Sequence, residues 1–224
     1  MRFLGALLIW IWAGAAFGGA WPRDKGQVFF AISADQARTK IYAEYGLGRD
    51  WTFGAEATQG EKGRPPGLNV FLMHPVWRGS GGAILSAGVG GAYRETYAAG
   101  AYAHLEGTPE IAASVRLSWG KGYGSRWGEG WYALDAQVEK VMSEDWALRG
   151  LTYKLDATIG LKPFERVMVM VQAQGWASAS GERVLRLEPS AAWALGKVQL
   201  VAAPSIGVIG AADPRFKLAL WLTF

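Results

Sequence analysis

The sequence contains no cysteine. That excludes a disulfide framework, a thiolate metal site and a cysteine nucleophile. Histidine is nearly as scarce, present only as His74 and His104. Neither has a serine two residues further on, so no local Ser–His pair marks a nucleophilic site. No metal-ligand cluster is visible, and the acidic run "SED" (143–145) is too short for a calcium loop. No cofactor and no catalytic residue is expected. Blocks of one charge are missing too: 23 basic and 19 acidic residues are scattered along the chain, which gives no footprint for nucleic acid. Past residue 20 no apolar run approaches the roughly 18 residues of a membrane-crossing helix. Helical stripes of period 3.6 are absent, and 31 glycines interrupt every candidate.

What the chain does have is alternation. Leu151 to Leu161 reads "LTYKLDATIGL", with Leu151, Tyr153, Leu155, Ala157, Ile159 and Leu161 on one face. Thr152, Lys154, Asp156, Thr158 and Gly160 take the other. Similar runs start at Glu110, Arg166 and Leu185, and the last one, "FKLALWLTF", closes the chain at Phe224. Such runs fit either a soluble sandwich or a barrel with lipid outside and charges in the lumen. Their length, about 9–11 residues, suits a tilted strand crossing a bilayer, whereas soluble strands centre on about 5–6. Trp51, Trp77, Trp119, Trp131, Trp176 and Phe224 fall near run ends, where interfacial girdles sit.

The pattern predicts an all-β, antiparallel, up-and-down transmembrane barrel of about twelve strands. They span roughly 26–34, 38–47, 51–60, 67–77, 82–91, 109–121, 130–141, 149–161, 165–177, 183–194, 197–209 and 215–224. Segment 90–109 is either one long loop or a further hairpin, which would make fourteen strands. Tight turns at 48–50, 162–165 and 195–197 fall on one end and longer loops on the other, although "GKGYGSRWGEG" (120–130) is long on the short-turn end. Residues 1–20 read as a secretory signal peptide: Arg2, an apolar run, then Gly18 and Ala20 ahead of cleavage before Trp21. The alternative is an uncleaved anchor helix. Cleavage removes one Arg and leaves 22 basic against 19 acidic residues, a net charge of +3, on one domain from 21 to 224.

Signal peptide, alternating strands and the terminal aromatic strand together resemble bacterial outer-membrane β-barrel proteins, in particular a porin-like group of about twelve strands. The opening "AWPRDKGQV" and the passage "YAEYGLGRDWTFG" are similar to barrels of that group with no assigned role. The resemblance implies outer-membrane lipid around the barrel and localisation in a Gram-negative outer membrane. It also implies handling by periplasmic chaperones and the barrel-assembly machinery, with Trp221 and Phe224 in the assembly signal.

Alternation assigns Lys40, Glu44, Glu56, Glu110, Arg116, Asp135, Glu139, Lys154, Asp156, Arg166, Arg186, Glu188, Arg215 and Lys217 to the lumen. Arg215 and Lys217 are expected to face the Glu44–Glu56 wall as the barrel closes, with Lys154, Arg166, Arg186 and Arg116 opposing Glu44, Glu56 and Glu188. Rings of charge select ions, but interior charges also pair merely to be satisfied. His74 is expected to point inward. The functional expectation is a narrow passive channel for small hydrophilic or charged solutes. The alternatives are a non-conducting structural or binding barrel that uses loop 93–107 and, less favoured, a lipid-modifying enzyme built on His104.

Overall fold

A row of apolar side chains at period two must be buried or turned toward lipid, and the polar row between takes the opposite face. In the computed structural model, residues 19–60, 67–96, 108–142, 150–179, 181–210 and 213–224 are described. They form twelve strands: β1 (Val28–Ala34), β2 (Arg38–Gly48), β3 (Trp51–Gly60), β4 (Gly67–Arg78), β5 (Ile84–Thr96) and β6 (Thr108–Ser125), then β7 (Gly128–Val141), β8 (Leu151–Phe164), β9 (Val167–Ser178), β10 (Arg183–Leu195), β11 (Val198–Ile209) and β12 (Arg215–Thr223). Each pairs antiparallel with its neighbour in sequence, and β1 pairs with β12, so the sheet closes into a barrel without an edge.

Strand β5 pairs with β6 along its whole length, from Ile84↔Gly120 to Thr96↔Thr108. The described residues therefore make a twelve-stranded wall. The signal-peptide residues 1–18, the loop residues 97–107 with His104, and the "SED" run lie outside the described residues.

The long connection expected at 120–130 is mostly strand. Strand β6 runs to Ser125 and β7 starts at Gly128, so the hairpin turns on Arg126 and Trp127 alone. The other connections at this end are also short: 49–50, 79–83, 165–166 and 196–197. Arg49 and Asp50 adopt φ of 52° and 64°, the positive pair that a two-residue hairpin turn requires.

The outward row is apolar over the height of the wall, with Val89 and Ile111 each 62% exposed. Trp51, Trp77 and Phe224 belong to this outer surface. Two of the expected girdle tryptophans do not. Trp131 shares its parity with Ala133 and Asp135 and is buried inside the barrel. Trp176 shares its parity with Gln174 and lines the interior. Position near a strand end does not fix which face a tryptophan takes; parity does. His74 is corrected for the same reason. It alternates with Phe71 and Met73, which are buried, and its ring lies against the exposed Trp51 at 4.6 Å on the outer face.

Candidate channel interior

The interior divides into two halves along the barrel axis. Toward the loop end lies a cavity of about 620 Å³. Its charged lining comprises Arg38, Lys40, Arg116, Lys154, Arg186, Arg215 and Lys217 against Asp35, Glu56, Asp135, Asp156 and Glu188. Seven cations face five carboxylates, so the cavity carries an excess of positive charge. Toward the short-turn end the inward row turns apolar. Trp131, Met168, Ala192, Val201 and Ala219 form a buried cluster, with Trp21, Met170 and Trp221 packed on it. Phe29 meets Trp221 and Tyr42 edge-on at 6.1 and 6.2 Å. Together these side chains make a floor under the polar cavity.

The keystone of that floor comes from the segment ahead of β1. Residues Trp21–Gln27 form a strap: Trp21 to Arg23 reach into the barrel, while Asp24, Lys25 and Gly26 are exposed. Arg23 donates from Nε to Glu44 at 2.5 Å, and both side chains are only 2% exposed. Its backbone N–H donates to Thr52 Oγ1 at 2.9 Å, and its guanidinium lies 4.7 Å from the centre of the Phe29 ring. Gly26 and Gln27 exchange backbone bonds with Gly46 at 2.8 and 3.0 Å. Trp21 lies over Gly120, where any side chain would collide with its ring. The strap was not anticipated, although a signal existed. The cross-strand neighbours of Glu44 are Phe29 and Gly54. An inward carboxylate with no basic neighbour on the wall needs a cation from within the lumen.

Most of the predicted site residues face the interior, but they do not oppose one another across it. Lys40 pairs with Glu56 on the next strand at 2.8 Å, and Lys154 with Asp156 on its own strand at 3.1 Å. Lys217 pairs with Glu188 across the intervening β11 and does not face Glu44 or Glu56. Glu44 is sealed by Arg23, away from the cavity. At the loop end, Arg94 bridges Glu110 and Glu139 at 3.1 and 2.7 Å. Arg94 was missed because its strand is rich in glycine and its alternation is weak. Long side chains reach a partner one or two strands away far more readily than one across the barrel.

Arg166 does not belong to the interior. Strand β8 extends to Phe164, so Glu165 and Arg166 form the turn, and Arg166 is exposed there. Among the described residues, three of the cavity's cations, Arg116, Arg186 and Arg215, make no ion pair with a carboxylate. Arg116 lies 4.2 Å from the centre of the Phe71 ring, and its Nε has no protein acceptor. Arg186 donates to Ser205 Oγ, to the Ser205 carbonyl and to the Asp213 carbonyl at 2.9, 3.0 and 2.7 Å. Asp135 and Asp156 stand directly opposite each other on β7 and β8.

A closed twelve-stranded antiparallel barrel with an apolar outer belt and a charged interior has the architecture of outer-membrane β-barrel proteins. Solved structures agree on that fold. The KdgM porin, solved in complex with disordered oligogalacturonate, superposes with a TM-score of 0.58 at 7% identity, covering 88% of this chain and 99% of its own. The NanC porin gives 0.55 at 8% identity, over 88% and 98%. The COG4313 outer membrane channel from Pseudomonas putida F1 gives 0.56 at 10% identity, over 93% and 99%. No protein-family model matches the sequence, and no curated protein sequence matches it.

Proposed function

We propose that this protein is a narrow passive channel of a Gram-negative outer membrane, with a preference for small anionic solutes. The observation that carries this reading is the lumen cavity with seven cations against five carboxylates. Two of those cations, Arg116 and Arg186, are held by an aromatic ring and by uncharged oxygens, which leaves their charge available to a passing anion. The fold shared with two porins and an outer membrane channel supports the same reading. Export with cleavage before Trp21, chaperoned passage and insertion by the barrel-assembly machinery complete it. The chain is not an enzyme in this reading.

A second reading, a non-conducting barrel that holds an anion in a blind cavity, draws support from the apolar floor under Trp21. Planar-bilayer recording of the refolded chain from Trp21 to Phe224 separates the two. In a salt gradient the channel gives discrete steps and a reversal potential of the sign for anion preference. Arg116→Gln combined with Arg215→Gln moves that potential toward zero. A folded barrel without steps sinks the channel and leaves the blind cavity.

A further inference from the structure

Strands β10 and β11 keep one register on both sides of a break. Leu187 pairs with Ile206 toward the loops and Ala191 with Ala202 toward the short turns. The same register sets Pro189 opposite Pro204, yet Glu188–Ser190 and Ala203–Ser205 make no pair with each other. A hydrogen-bonded antiparallel pair exchanges two N–H···O bonds, and proline has no N–H. Two prolines facing at such a pair delete both bonds, and the pairs above and below fail with them. The defect is confined to this seam: Pro189 still pairs with Val171 on β9, and Pro204 with Phe216 on β12. It removes the cross-strand N–H donors for the Pro189 and Pro204 carbonyls.

On the lumen side, side chains bridge the gap. Arg186 on β10 binds the Ser205 hydroxyl and carbonyl on β11. Lys217 on β12 reaches Glu188 on β10 over the fully buried Ala203. On the outer side lies an apolar groove of about 600 Å³ walled by Val169, Val171, Pro189, Ala191, Ala202 and Pro204. Met170 and Ser190 border both the groove and the lumen cavity. Just below the seam lies the floor built on Ala192, Val201 and Ala219.

The geometry points to a lateral portal: the β10–β11 seam passes the hydrocarbon tail of a carboxylate-headed amphiphile between lumen and bilayer, with the head held by Arg186 and Lys217. The groove supplies the apolar surface for the tail. The missing backbone bonds supply the opening, and two side-chain clasps, which an incoming anion displaces, hold it shut. Arg215 pairs in register with Ser205 and adds a second guanidinium beside the head. The portal needs only the barrel and its cavity, so it stands apart from ion conduction.

The test uses the absence of cysteine from the chain. Ala203→Cys places one thiol on the lumen side of the seam, and the protein is reconstituted in phosphatidylcholine vesicles containing hexadecyl maleimide. This reagent stays in the bilayer, so it meets position 203 only through the seam. Pro189→Ala with Pro204→Ala restores both N–H donors and is expected to slow the reaction about tenfold. Lys217→Gln loosens the clasp and speeds it, which keeps the test decisive if the double alanine protein fails to assemble. Leu200→Cys, on the outer face, reacts alike in every background. Dodecanoate protects the thiol at 203, and dodecyltrimethylammonium does not. Equal rates in all backgrounds, or a thiol at 203 that never reacts from the bilayer, overturn the portal. Protection by neither amphiphile, or by both alike, overturns the anionic head site.

Discussion

At the scale of single residues, the interior is organised by how each charge finds its partner. Arg23 and Glu44 are the extreme pair, since both are withdrawn from solvent. Desolvating two ions is costly, so the pair is weak evidence of net stability, but removing one partner strands the other. Arg23→Ala is therefore expected to destabilise the barrel by about 3–5 kcal/mol. Adding Glu44→Gln to Arg23→Ala should recover much of that loss, because no buried charge then remains. Denaturant unfolding of the two variants in lipid vesicles measures both, and equal losses would remove the buried-charge explanation. The exposed Arg78–Asp50 pair, by contrast, contributes about 0–1 kcal/mol, and Arg78→Ala should be nearly silent. Parity made most interior charges legible in the sequence, because one face of each run had to be polar. It did not give the pairings, which depend on strand neighbours and on reach. Arg166 went astray because it stands two residues after Phe164, in step with the row but already in the turn.

At the scale of elements, strands and strap obey different rules. A strand announces itself by alternation, and β8 and β12 were legible for that reason. The strap has no periodicity. Its seven residues carry Trp, Pro, Arg, Asp and Lys in a sequence that reads as an ordinary leader to β1. Only the unmet need of Glu44 pointed to it. The strap docks by backbone as well as by charge, and Gly46 is where that contact is tightest. A methyl group there would lie 1.9 Å from the Asp24 carbonyl oxygen. Gly46→Ala therefore forces the strap off the wall without altering any strap residue. If the strap forms the floor, single-channel conductance should rise with this substitution, as it should when Trp21–Gln27 is deleted. Unchanged conductance in both would place the constriction elsewhere in the Trp131–Met168–Trp221 cluster.

At the scale of the whole molecule, closure is the condition that the bilayer imposes. Every strand must find two partners, because an open edge in hydrocarbon leaves a row of unpaired N–H and C=O groups. The last bonds of that closure are made by the terminal residue itself. The Phe224 N–H donates to the Val28 carbonyl, and the Val28 N–H donates to the Phe224 carbonyl, both at 3.0 Å. From there β1 and β12 pair from Phe29↔Thr223 to Ala34↔Leu218. Strand β1 is the shortest, at seven residues, so each of its pairs is a large share of that seam. Inside the same seam Trp221 meets Phe29 and rests on the floor cluster, so closing the wall and packing the floor are one event. Deleting Phe224 removes two hydrogen bonds from Val28 and the final aromatic from the outer face. The expected outcome is a slower, lower-yield closure with little change in a barrel that has already closed. Refolding into vesicles, followed by the heat-dependent shift in gel mobility, reads the rate, and thermal unfolding of the closed fraction reads the stability. A large fall in stability with an unchanged rate would instead assign Phe224 to holding the finished barrel.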